Sequence, residues 1–166
     1  MEIHSVNKSD NDEWLVLNHD LDRPLNVSDI NLNLIVCNEQ GTLIDPGGID
    51  IFPTVVSTVN KIIPINSIKN IIITSADPQS ASSLALWKQV CSNEVNIYAP
   101  SLLGNSLAHL DSEVRLSLIP DEGLKLEVSP NHNLILIPSH HLHAPAAYSV
   151  YDENLQIMYS GSIGSA

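Results

Sequence analysis

Two polar stretches contain the residue types that do chemistry. The first, Ser75-Ala76-Asp77-Pro78-Gln79-Ser80, follows the apolar run Ile71-Ile72-Ile73 and offers one carboxylate, hydroxyls and an amide, with no imidazole or thiol. The second, Pro138-Ser139-His140-His141-Leu142-His143-Ala144-Pro145, places three of the seven histidines in four positions. In extended backbone His141 and His143 project from one face, the spacing by which two imidazoles share one ion. A tight site needs a further ligand, and Asp77 is the carboxylate in a comparable strand-end loop. Asp77, His141 and His143 therefore outline a mononuclear zinc or iron site for hydrolysis or oxygen chemistry. The plainer reading packs or hydrogen-bonds one histidine of the His140–His143 cluster and solvates the others. The stretch Tyr159-Ser160-Gly161-Ser162-Ile163-Gly164 comes near the nucleophile elbow G-x-S-x-G, with Ser160 in place of the first glycine. That elbow must run into a helix, and here the sequence stops, so serine catalysis is set aside.

Among the elements that must hold these residues, Ile71–Ile73 suits a strand buried on both faces. Asp77-Pro78 cannot continue a ladder, so the strand is expected to stop near Ser75. From Ser80 to Val90 a serine able to accept from first-turn N–H groups precedes apolar residues at helical spacing. A loop between a strand's carboxyl end and a helix is where α/β proteins place their sites. Upstream, Glu13–Leu17 and Ile30–Cys37 read as strands. Asn38-Glu39-Gln40-Gly41 is a turn, and Thr42–Asp45 returns to complete a hairpin. Asp45-Pro46-Gly47-Gly48 breaks the sheet, and Ile51–Val59 reads as a helix with Pro53 in its first turn. Downstream, Glu94–Ala99 is a strand and Leu102–Leu110 a short helix or irregular segment. Strand-like runs follow at Val114–Ile119, Leu124–Val128, Asn133–Ile137, Ala147–Tyr151 and Gln156–Ser160, joined by turn-forming residues. This order implies an α/β or α+β protein with large sheets and few helices.

A chain of 166 residues is expected to form one domain, residues 1–166. The net charge of −12, with only seven lysines and arginines, argues against nucleic acid and against an anionic membrane surface as partners. No apolar run is long enough to span a bilayer and no secretory signal opens the sequence, so a cytoplasmic protein is expected. Cys37 and Cys91 lack metal-site spacing and read as buried reduced thiols.

Several stretches, in this order, resemble the metallo-β-lactamase-fold domain of flavodiiron proteins and the related oxygen-binding diiron proteins. Asn33 to Gly47 is similar to the family's opening hairpin and its aspartate-proline-glycine turn. Ile119-Pro120-Asp121-Glu122-Gly123, Leu142-His143-Ala144-Pro145, Tyr151-Asp152 and Tyr159 to Gly164 resemble its later landmarks. The resemblance implies an αββα sandwich, incomplete at the C-terminal end. It places the family's metal loop His-x-Glu-x-Asp-His on Ser75 to Ser80. Ser75 then stands for the first histidine, Asp77 for the glutamate, Gln79 for the aspartate and Ser80 for the last histidine. His143 matches a later histidine, and Ser162 falls where an aspartate bridges the two metals.

Hydroxyls and an amide do not offset the repulsion and lost hydration of two close dications, so this comparison implies that no dinuclear centre forms. The expectation is a metal-free, catalytically inactive relative acting as a sensory or regulatory interaction module. Ser75, Asp77, Gln79, Ser80, His143 and Ser162 would line a vestigial polar pocket with no cofactor, and the partner would be a signalling output domain or a second copy of the chain. The rival is the mononuclear iron or zinc enzyme above. A half-domain that completes its sandwich by pairing with another chain is a third possibility.

Overall fold

The structure is a computed structural model that describes residues 1–18, 20, 25, 29–91, 94–107, 109, 115–139 and 146–161. Two sheets face each other. The larger has seven strands in sequence order: β1 (Glu2–Lys8), β2 (Asp12–Asn18), β3 (Leu32–Cys37), β4 (Gln40–Ile44), β5 (Ile68–Ile72), β6 (Asn96–Pro100) and β7 (Leu116–Ile119). Its first four strands pair antiparallel, whereas β4 to β7 run parallel. The smaller sheet is an antiparallel meander of β8 (Leu124–Ser129), β9 (His132–Pro138), β10 (Tyr148–Asp152) and β11 (Ile157–Tyr159).

The expected hairpin is present, turned by Asn38 and Glu39 at φ 47° and 63° between the paired Cys37 and Gln40. Positive φ at both central residues gives a two-residue turn whose twist matches the strands, and asparagine tolerates it best after glycine. Parallel pairing requires crossovers. These are α1 (Phe52–Ile62), then α2 (Pro78–Ala81) with α3 (Leu84–Val90), and then a 3₁₀ turn leading into α4 (Gly104–Leu107). Proline stands in the first turn of α1, as the sequence indicated.

Two apolar clusters separate the layers. One lies between the larger sheet and the helices, with Leu34, Leu43, Ile71, Val55, Val59, Leu84 and Trp87 all buried. The other lies between the sheets, with Trp14, Ile35, Ile44, Ile72, Leu134, Leu136 and Val150. Adjacent residues of β3, Leu34 and Ile35, therefore enter opposite clusters, which is why that strand reads as a continuous apolar run. The order is helix layer, large sheet, small sheet. Every described helical residue in an apolar cluster belongs to the first one.

Three sequence expectations need correction. Strand β1 precedes the expected first strand and was missed because all seven of its residues are exposed, so no burial pattern marks it. The expected helix from Ser80 is broken into α2 and α3, and Ser80 lies inside α2 rather than capping a helix. Ser83, at the amino end of α3, makes no capping bond. Its hydroxyl donates to the Gly47 carbonyl at 2.6 Å, satisfying that buried acceptor.

Trp87 is fully buried, meets Phe52 edge to face at 5.3 Å and donates its indole N–H to the Pro46 carbonyl at 3.3 Å. Trp87→Ala should therefore lower stability by about 3–5 kcal/mol, read as a fall in the urea midpoint with Trp14 as the remaining fluorophore.

Candidate functional site

The carboxyl ends of β4 and β5 meet the small sheet at one end of the sandwich, and a buried carboxylate organises that meeting. Asp45 follows β4 with φ 48°, a conformation that costs an aspartate little and turns its side chain inward. Its Oδ1 accepts from the Thr74 N–H at 2.8 Å, and its Oδ2 from the Thr74 hydroxyl at 2.5 Å and the Tyr159 hydroxyl at 2.9 Å. Thr74 in turn accepts the Tyr148 N–H on its carbonyl at 3.2 Å. One aspartate thus connects β4, the loop after β5, and β11. Burial pushes its carboxyl up to about 6, against the lowering effect of its donors and with the charge of Asp77 adding to the rise. Burial and the Asp45 charge push Tyr159 well above the usual phenol range, so its hydroxyl stays a donor.

The loop Ser75–Ser80 leaves this anchor and folds on itself. The Ser75 hydroxyl donates to Asp77 Oδ2 at 3.1 Å and also pairs with Ser80 Oγ at 3.3 Å. Ser75 and Ser80 are buried and Asp77 is half-buried. Gln79 is exposed, which corrects its placement in the pocket: Pro78 opens α2 and the second residue of that turn faces solvent. The structure therefore brings together Ser75, Asp77 and Ser80 of the residues singled out. His140, His141, His143 and Ser162 lie outside the described residues. Asp45, Thr74 and Tyr159 were missed as a set. The signal was an aspartate before Pro-Gly, where the chain must reverse and a short acceptor side chain can reach the backbone.

The diiron centre of the resembled family demands a particular donor set. At the loop the donors comprise one half-buried carboxylate and two hydroxyls that already satisfy one another. This does not fit a pair of iron ions, which needs several anionic or imidazole ligands. Among the described residues the one close group of histidine, cysteine and acidic ligands lies elsewhere, at Asp12, Cys37 and His132.

Comparison with known proteins settles the kinship. The family model described as ODP family beta lactamase matches residues 28–166. The chain belongs to the ODP family. A chemotaxis sensor ODP from T. denticola, solved in its apo state, is 30% identical with a TM-score of 0.84, over 99% of this chain and 64% of that one. A chemotaxis sensor ODP solved as a peroxy diiron species is 28% identical with a TM-score of 0.83, over 100% of this chain and 66% of that one. A flavo di-iron protein from Thermotoga maritima, solved as a point mutant, shares the fold at 19% identity, TM-score 0.76, over 96% of this chain and 42% of that one. The chain thus spans just under two thirds of the length of the first two relatives. Among curated proteins no sequence matches. The metallo-β-lactamase-like architecture and the kinship with oxygen-binding diiron proteins read from the sequence are both upheld. No helix among the described residues is long and apolar enough to cross a membrane.

The raised carboxyl of Asp45 has a pH signature. Between 3.8 and about 6 the folded chain keeps a proton that the unfolded chain has lost, so this group's contribution to stability falls as pH rises through that window. Asp45→Asn has no proton to release and should lack that fall, a difference on the order of 3 kcal/mol between the two pH-stability curves from urea unfolding.

Proposed function

We propose that this chain is a sensory or regulatory interaction module on the ODP scaffold, acting without a dinuclear metal centre and without catalysis at the ancestral loop. The supporting observation is the Ser75 hydroxyl. In the resemblance read from the sequence it falls at the position of an imidazole, and it is buried and bonded to Asp77 and Ser80. A loop with Asp77 as its one carboxylate also has less of the carboxylate crowding that an ion-free cluster of acids suffers. The sensory role follows from relatives that are chemotaxis sensors, and those relatives are longer than this chain. In this reading the module works in the cytoplasm. Its partner is a signalling output domain or a second copy of the chain, to which it reports the state of its fold or of a small polar ligand.

Anaerobic incubation of the purified chain with ferrous iron, followed by desalting and metal analysis, tests the reading. Retention of no iron pair is expected. A bound pair per chain would overturn it, and a single iron or zinc lost in both Asp77→Ala and His143→Ala would establish the mononuclear enzyme instead.

A further inference from the structure

At the opposite end of β4 from Asp45, the two sheets are joined by a second buried polar group. Asp12 and Cys37 are directly paired across β2 and β3, so their side chains share the face that looks toward the small sheet. His132 opens β9 in that small sheet and reaches them, leaving one ligand atom from each of the three within 4.8 Å of the others. His132 is 1% exposed and Cys37 2%.

The His132 ring is held from behind. Its Nε2 lies 2.8 Å from Asp152 Oδ2, and the other oxygen of Asp152 accepts the N–H groups of Asn154 and Leu155, both at 2.9 Å. A carboxylate so fixed keeps a proton on Nε2 and directs Nδ1 forward, the arrangement by which proteins orient a metal-binding imidazole. Nδ1 stands 3.0 Å from Asp12 Oδ2, an ion pair when the ring is protonated. Nδ1 and Asp12 Oδ1 are both buried without a hydrogen-bond partner. A bare imidazole nitrogen facing a carboxylate at that distance is repulsive, so a positive charge belongs on or between them.

We propose that Asp12, Cys37 and His132 form a site for a zinc-class transition-metal ion, with Asp152 orienting the imidazole from the outer shell. Nitrogen, thiolate and carboxylate oxygen are the donor types that tetrahedral zinc takes, and three protein ligands leave a fourth position for water. Asp12 also lines a cavity of about 580 Å³ together with Lys8, Ser9, Asn11 and Asn38. The ion enters as a dication, displacing the Cys37 thiol proton and any proton on Nδ1 to solvent. Its ligands come from β2, β3 and β9, so its binding clamps one sheet to the other. The site is separate from the loop at Ser75–Ser80 and does not depend on the function proposed for it.

Cobalt(II), a spectroscopic substitute for zinc, tests the site in the full chain after chelator treatment and dialysis. One cobalt per chain is expected, with a thiolate-to-cobalt charge-transfer band in the near ultraviolet that zinc abolishes. Cys91→Ser and Asp77→Asn should keep that band, and Cys37→Ser and His132→Gln should lose it. The chain has two cysteines, so a band that survives Cys91→Ser belongs to Cys37 even if a Cys37 variant fails to fold. Absence of the band in the wild-type chain, its loss in Cys91→Ser, or its persistence in a folded Cys37→Ser variant would each overturn the site. An iron pair at the Ser75 loop would leave this cobalt signature untouched, so the two proposals fail separately.

Discussion

The Asp45 carboxylate is the constraint on which the site end of the sandwich depends. It holds the loop after β5 through the Thr74 N–H and hydroxyl, and β11 through the Tyr159 hydroxyl. With only 4% of its surface exposed, it has little access to solvent that could replace a lost donor, so each bond fixes a position as well as contributing energy. The neighbourhood is tight. A Cβ added at Gly161, which has φ +61°, would sit 2.9 Å from the Tyr148 carbonyl and 3.4 Å from the Thr74 hydroxyl, so the chain leaves β11 where a side chain does not fit.

That anchoring holds the base of the loop independently of what the loop binds. The features that hold Ser75 in place are backbone geometry, the Asp45–Thr74 pair and the buried Ile71–Ile73 run, none of which is a metal ligand. Substitution at Ser75, Asp77 and Ser80 therefore alters what the loop can bind while the scaffold at its base stays put. The Ser75 and Ser80 hydroxyls are bonded to one another and leave the loop's buried oxygens with partners.

Much of the architecture was legible because the sequence's periodicities follow burial. The strand runs at Leu32–Cys37 and Ile68–Ile72 are continuous because both faces are covered, and Asn38-Glu39 marked the hairpin by its tolerance of positive φ. Less visible was whatever depends on partners distant in sequence. Asp45 and Tyr159 are 114 positions apart, and nothing local marks His132, because its carboxylate partners Asp12 and Asp152 arrive from other strands. The serines before α3 show the same limit. Ser83 makes no capping bond at the amino end of α3 and donates its hydroxyl to the Gly47 carbonyl, 36 positions away. Ser75–Ser80 was readable as a polar loop at a strand's end, but that Gln79 faces solvent was not, since one turn of α2 decides it.

The exposure of every residue in β1 has a consequence for how the molecule breathes. Ile3 and Val6 remain 41% and 54% exposed, and the pairing with β2 is interrupted between Ser5 and Asn7. Elsewhere a one-residue slip would drive apolar side chains into water; here it would cost almost nothing beyond ladder bonds. Surface contacts such as Ser5 to Glu13 and the Asn7 amide to the Leu155 carbonyl do the remaining holding. The amino-terminal ribbon can therefore peel off ahead of the cooperative unit, exchanging its amide protons with solvent while β3 to β5 stay closed.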